Sequence, residues 1–186
     1  MTPTTVNDGT WPALPFEAWR ETCETVHMWT QVAGKICLAT TPRTNHFWNI
    51  TFQVTPRGLS TPSMMAGNRA FTMTFDFVAH RLVIQCSDGG TDTIPLEPQT
   101  VADFYRRVME VLHRLGIDAR IWTMPVEIPN PIRFDLDVTQ GPTIRLPSTP
   151  SGASYSRSSP CSRISGATSL ASAAQCTSSG VASTWR

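Results

Sequence analysis

Apolar residues recur at the three-and-four spacing of an amphipathic helix in two stretches of the chain. In the first, residues 15–32, the acids and bases lie off the apolar stripe, and Gly34 follows as a helix-stop signal. In the second, Thr100 and Asp103 form an N-terminal capping signal and Gly116 supplies the stop. The two stripes consist of Phe16, Trp19, Cys23, Val26, Thr30 and Ala33, and of Phe104, Tyr105, Val108, Val111, Leu112 and Leu115. The pattern therefore predicts two helices.

Several shorter runs alternate apolar and polar residues. The alternation is complete over residues 48–54 and 71–77, nearly complete over 81–86 and weaker over 93–96, and further strands are predicted at 36–40 and 119–124. A period of two buries one face of a strand and leaves the other wet, which is typical of an antiparallel sheet. Turn sequences lie at 56–58, 66–68, 78–80 and 88–90. We therefore predict the α+β class, with a mainly antiparallel sheet flanked by the two helices.

The alternation also assigns side chains to the two faces of the sheet. In run 48–54 the residues expected to be accessible are Asn49, Thr51 and Gln53. The residues expected to be buried there are Ile50, Phe52 and Val54, and those in run 71–77 are Phe71, Met73 and Phe75. Three prolines within residues 125–131 predict an extended, non-helical course for residues 126–132.

The charges divide the chain near Asp137. All fourteen carboxylates of the 186 residues lie between Asp8 and Asp137, where eleven basic side chains leave a net charge of −3. Residues 138–186 contain four arginines, no carboxylate and many serines, and they show no hydrophobic period. Such a composition cannot bury enough apolar surface to offset its ordering entropy. We predict an α+β domain over residues 1–137 and a disordered tail over 138–186.

Composition excludes several classes of function. A net charge of +1 gives no reason to expect a nucleic-acid partner or an anionic membrane surface. No apolar run approaches the eighteen or so residues of a membrane span, and the start lacks the basic and apolar regions of a secretory signal. Five cysteines without a Cys-x-x-Cys pair make a disulfide framework or thiolate zinc site unexpected. We predict a soluble, cytoplasmic protein without a metal or other cofactor.

Polar and aromatic residues cluster at the end of the first helix and the start of the first long strand. If this strand packs on the helix end, the cluster forms a pocket floored by two indoles, the usual composition of a small-ligand site. The candidate residues are His27, Trp29, Gln31, Lys35, Asn45, His46 and Trp48. In the alternative interpretation, Trp29 and Trp48 belong to the core, while His27 and Asn45 satisfy backbone groups.

No catalytic motif identifies a reaction, so two classes of function stay open besides an interaction protein. The first is a small-molecule binding module with an apolar cavity under the sheet. The alternative is a small-molecule enzyme whose convergent polar groups include His27, Lys35 and His46 and whose site is completed by a segment absent from this chain.

Four motifs of the chain stand out together. They are His27-x-Trp29-x-Gln31-x-x-Gly34-Lys35, Asn45-His46-x-Trp48, Phe75-Asp76-Phe77-x-x-His80-Arg81-Leu82 and Met124-Pro125-Val126-Glu127-Ile128-Pro129. In combination they resemble an uncharacterised bacterial family, known as domain of unknown function 5996. The resemblance covers about residues 11–137 and implies no activity.

Members of that family look longer than this chain and stay ordered beyond the proline segment. A neighbouring reading frame across Leu170 to Trp185 permits the string Gly-Lys-Cys-Ser-Pro-Val-His-Phe-Phe-Trp-Gly-Ser-Phe-Asp-Leu, which resembles the family's downstream motif. We therefore expect the tail to be an out-of-frame translation that begins after Val138 or Thr139, which truncates the family domain.

Overall fold

The computed structural model describes residues 15–139 of the chain, so the predicted tail from residue 140 onward lies outside the described residues. A short 3-10 turn at Phe16–Ala18 precedes helix α1, and two tight turns follow it at Asn45–Ile50. The regular elements are α1 (Arg20–Thr40), β1 (Gln53–Thr55), β2 (Gly58–Ser60), β3 (Met64–Ala66), β4 (Arg69–Asp76), β5 (Arg81–Cys86), β6 (Thr91–Pro95) and α2 (Val101–Arg114). Residues 115–139 follow α2 without regular structure.

The six strands form one antiparallel sheet in the order β1-β2-β4-β5-β6. Strands β2 and β3 pair with successive halves of the long strand β4, as the registers Leu59↔Phe75 and Met64↔Phe71 show. The predicted turns connect β1 to β2, β3 to β4, β4 to β5 and β5 to β6. The α+β class with an antiparallel sheet and two main helices is confirmed.

The core lies between one face of the sheet and the two helices. Phe71, Met73 and Phe75 of β4 are buried as the alternation predicts. The Trp29 ring of α1 stacks on the Phe104 ring of α2 with 4.6 Å between centroids, and the Phe75 ring lies 6.4 Å from Phe104. Aromatic contacts therefore join both helices to the central strand.

Helix α1 is longer than predicted. It does not stop at Gly34 but continues to Thr40, so the strand expected at residues 36–40 is wrong. Ile36 and Cys37 are buried on the same side as the earlier stripe, and this packing outweighs the roughly 1 kcal/mol that a helical glycine costs. The helix ends at Thr40, and the next residue, Thr41, has an extended backbone because Pro42 disfavours a helical residue before it.

The strand predicted over residues 48–54 is mostly wrong, since only Gln53–Thr55 is strand. Asn49 is buried and Val54 is exposed, the reverse of the expected faces. Ile50 and Phe52 are buried and Gln53 is exposed as expected. The alternation fails at Asn49 because its side chain makes internal hydrogen bonds, described below.

Helix α2 follows its prediction closely. The Thr100 side chain accepts a hydrogen bond from the Asp103 backbone N–H at 3.0 Å, and Gly116 adopts a positive φ of 70° after the last turn. The strand expected at 119–124 is not formed, and residues 126–132 are non-helical as predicted. Instead, the Phe134 N–H donates to the Thr123 carbonyl, which holds this segment while Phe134 inserts into the core.

Candidate functional site

Three of the predicted site residues form one stripe on α1. His27, Gln31 and Lys35 are spaced four residues apart, so they share a helix face. The Gln31 side chain pairs with both backbone groups of Val126, donating to its carbonyl at 2.9 Å and accepting from its N–H at 2.9 Å. This pairing fastens the segment after α2 across the stripe and makes Gln31 a structural anchor.

His27 lies half-buried one turn before Gln31. Its Nε2 is 3.5 Å from the Gln31 Nε2. Burial lowers the pKa of His27, and the nearby carboxylate of Glu127 offsets part of this effect. Glu127 lies in the segment that Gln31 anchors, and its φ of 58° is in the left-handed region. The backbone that places this carboxylate is therefore strained.

Lys35 occupies the other end of the stripe and is only 8% exposed. Its Nζ lies 4.5 Å from the ring centroid of Trp122, an indole that is 56% exposed. Burial lowers the pKa of Lys35. Every ion pair within residues 15–139 is formed by an arginine, so this amine has no carboxylate partner there.

Trp29 points away from this stripe into the core. It is 0% exposed and stacks on Phe104. Its Nε1 has no hydrogen-bond partner in the described part of the chain. For Trp29 the structure therefore matches the alternative interpretation, in which the indole is part of the core.

Asn45, His46 and Trp48 lie in a separate loop after α1. Asn49 ties this loop to the residues that precede it through a set of hydrogen bonds that we call the Asn49 bracket. Its Nδ2 donates to the Thr41 Oγ1 at 2.8 Å, and its backbone N–H donates to the Thr44 Oγ1 at 2.9 Å. The Thr44 N–H donates to the Asn49 Oδ1 at 3.3 Å in return. The Cys37 Sγ donates to the Asn49 carbonyl at 3.0 Å, which ties the bracket to the end of α1.

The loop backbone is strained at its centre. His46 (φ 53°, ψ 25°) and Phe47 (φ 55°, ψ 31°) are consecutive left-handed residues, a conformation that costs side-chain-bearing residues about 1 kcal/mol or more each. The buried Phe47 ring, with the Arg43 guanidinium 4.4 Å from its centroid, holds this conformation in place. As a result the next side chain, Trp48, faces solvent and is 74% exposed.

The loop encloses a shallow concavity of about 550 Å³. Its lining residues are Thr44, Asn45, His46, Trp48 and Asn49. The side chains of Asn45, His46 and Trp48 make no hydrogen bond or ring contact within residues 15–139. The structure thus brings together the three loop residues of the predicted pocket, and the three polar α1 residues form a second group under the segment after α2.

Sequence reasoning missed the residues that complete each group. Trp122 covers Lys35 from a segment that was expected to be a strand, and Asn49 was expected to face solvent. The prolines that follow residue 124 were a signal that the segment containing Trp122 does not form a regular strand. A larger concavity of about 680 Å³ along α2 contains Tyr105, Met109 and His113, but the arginines on its wall already pair with aspartates.

Comparison with known proteins gives the family of the chain. The model of a family of unknown function (DUF5996) matches residues 11–142, so the chain belongs to this family. No curated protein and no solved structure matches the chain. Within residues 15–139, no group of three His, Cys, Asp or Glu side chains is arranged to hold a metal ion, and neither helix is long and apolar enough to cross a membrane.

Proposed function

We propose that the chain is a small-molecule binding module whose ligand lies in the concavity of residues 44–49, against the face of Trp48. One observation carries this proposal. Three side chains of a strained, hydrogen-bonded loop, Asn45, His46 and Trp48, are exposed to solvent, and none is engaged by another residue of the described chain.

The energetics of the loop support a binding role. Because Trp48 is exposed, it gains none of the free energy that burial of the indole gives Trp29. The left-handed backbone of His46 and Phe47 adds a further cost. Local strain of this kind concentrates at ligand-binding sites, where it holds side chains in their bound positions. The Asn49 bracket keeps the loop in one conformation, so a ligand does not have to order it.

The chemistry of the lining defines the class of ligand. Trp48 offers a flat apolar face, while His46 and Asn45 offer hydrogen-bond donors and acceptors beside it. The concavity has no Lys, Arg, Asp or Glu in its lining, and Arg43, just before the loop, lies over the Phe47 ring. We therefore propose an uncharged, planar ring compound with a hydrogen-bonding edge.

The setting of this activity is part of the proposal. The free thiols of Cys23, Cys37 and Cys86 favour a reducing compartment, the cytoplasm, and the family resemblance favours a bacterial source. The net charge of −3 over residues 1–137 speaks against nucleic acid as the partner. The out-of-frame origin of residues 140–186 and the resulting truncation remain a hypothesis that sequencing of the coding region tests.

Titration with nicotinamide and with adenosine tests the site, because both are uncharged planar rings with hydrogen-bonding edges. We expect a saturable shift of the Trp48 indole signal in NMR spectra, assigned by its loss in Trp48→Ala. His46→Ala should weaken binding while leaving the melting temperature nearly unchanged, because the exposed imidazole satisfies no buried group.

Trp122→Ala is the matched control, since it removes another exposed indole outside the loop. Binding should survive in this variant and be lost in Trp48→Ala. No saturable shift with either compound, or equal binding by Trp48→Ala and the parent chain, contradicts the proposal.

A further inference from the structure

We propose that Lys35 is a covalent attachment site for small aldehydes, whose carbonyl carbon condenses with the Lys35 amine to form an imine. This site is distinct from the loop of residues 44–49 and does not depend on ligand binding there. It gives the enzyme alternative a specific nucleophile.

The surroundings of Lys35 favour the uncharged amine. Its side chain is held against the Trp122 ring, and no described group accepts a hydrogen bond from Nζ. Gln31, one turn earlier on α1, is committed to the Val126 backbone. The Trp122 face offers the ammonium group a cation–π contact, but the water that is lost is not replaced by an acceptor or a counter-ion, so burial prevails and favours the free amine.

The charged groups facing this site do not reverse that preference. On α1 the next titratable side chain of the stripe is His27, two turns or about 12 Å along the axis from Lys35. On the covering segment the carboxylate of Glu127 acts on His27. Burial lowers the pKa of Lys35, which raises the fraction of free amine near neutral pH.

The amine is still within reach of a small molecule. The fully buried polar side-chain atoms without a partner in residues 15–139 are Trp29 Nε1 and Gln99 Oε1, and Lys35 Nζ is not one of them. The covering Trp122 is more than half exposed, so a small aldehyde approaches along its edge.

The proposed reaction needs no oxidant or reductant. The nitrogen lone pair attacks the carbonyl carbon, the C–N bond forms and a proton moves from nitrogen to oxygen, which gives a carbinolamine. The C–O bond then breaks and water leaves as the C=N bond forms. Once protonated, the imine is again a cation, and it lies over the Trp122 face that held the ammonium group.

The chain offers a clean test because Lys35 is its only lysine. We propose incubating the full chain with propanal and cyanoborohydride near neutral pH, followed by peptide mass spectrometry. The folded chain should be labelled at Lys35 on the order of threefold or more faster than the urea-unfolded chain, because the folded environment favours the free amine. The α-amino group serves as an internal reference for the reagent.

Two variants separate this environment from mere exposure. Trp122→Ala should bring the labelling rate of Lys35 toward the unfolded value, whereas Trp122→Phe should keep it elevated. Trp48→Ala should label like the parent chain, so failure of the ring-binding proposal leaves this result unaffected. A folded chain that is labelled at Lys35 no faster than the unfolded chain, or not at all, overturns the proposal.

Discussion

Trp29 and Trp48 show how the same side chain is used in two different ways within one domain. Trp29 is fully buried between α1 and α2, where it stacks on Phe104. Trp48 is 74% exposed on a loop that is held by the Asn49 hydrogen bonds. The first region is stabilised by apolar packing, and the second is shaped by polar side chains acting on a strained backbone.

The difference indicates where stability and function reside. In the Trp29 region each large side chain removes apolar area from water, so mutations there should unfold the domain. In the loop, the exposed surface of Trp48 contributes little to folding and stays available to a ligand. The experiments below challenge this division.

Trp29→Ala should produce the largest loss of stability. Truncating a fully buried aromatic residue costs about 3–5 kcal/mol, through lost burial and the cavity left beside Phe104. Trp48→Ala should cost about 0.5 kcal/mol or less, since its ring contacts no other described ring. Urea unfolding measures both values. Similar losses for the two variants would show that the loop tryptophan also supports the fold.

Raising the pH should lower the free energy of unfolding through Cys37, which joins the end of α1 to the loop by its hydrogen bond to Asn49. Burial raises the pKa of Cys37 to about 11, against 9.0 for an unperturbed thiol. Between these values the folded chain holds the thiol proton that the unfolded chain has lost, so the free energy of unfolding falls as pH rises. Two pKa units at about 1.4 kcal/mol each make the full effect on the order of 3 kcal/mol.

Urea unfolding at intervals across this pH range measures the slope. Cys37→Ala should be less stable at neutral pH but should show a shallower decline. Cys23→Ala is the control, because it removes a half-buried thiol and should keep most of the slope. An unchanged slope in Cys37→Ala would assign the alkaline loss to other groups.

The packed region was largely predictable from the sequence. In β4 and β5 each residue faces either the core or the outside, so the period of two survives in the burial of Phe71, Met73 and Phe75. Helix α2 shows the same agreement, because its cap at Thr100 and its stop at Gly116 depend only on residues close by in the sequence. Strands β2 and β3 have three residues each, too few for a period to be recognised.

The loop region was not predictable from the same signals. Alternation over residues 48–54 indicated a strand, but the hydrogen bonds from Asn49 to Thr41 and Thr44 replaced the sheet pairing. The contact of Lys35 with Trp122 joins residues far apart in sequence, and no local pattern encodes it. Residue types identified candidate side chains, while their grouping required the fold.

Asn49→Ala should have an intermediate effect that links stability to the site. It removes the acceptor of the Thr44 N–H and the donor to Thr41, at a cost of about 1–3 kcal/mol. Freed from the bracket, the loop should also lose affinity for the ring compounds described above. Asn45→Ala is the control, with a stability change of about 0.5 kcal/mol or less. If the two asparagine variants are equally stable, the bracket does not hold the loop.

His46→Gly should produce the smallest change in stability. Glycine relieves roughly 1 kcal/mol of strain at φ 53° but loses about 0.5–1 kcal/mol through the greater freedom of the unfolded chain. The two effects nearly cancel, so urea midpoints should differ by about 0.5 kcal/mol or less. His46→Val should instead destabilise the domain by about 1 kcal/mol or more, because β-branched residues tolerate left-handed backbone poorly.

His80→Gly, at φ 51° in the turn between β4 and β5, provides the matched comparison. A marked gain for His46→Gly alone would mean that the loop stores more strain than an ordinary turn. Equal, small changes at both positions would show that the loop backbone stores no more strain than an ordinary turn. The main cost of the outward position of Trp48 would then be the exposure of its indole to water.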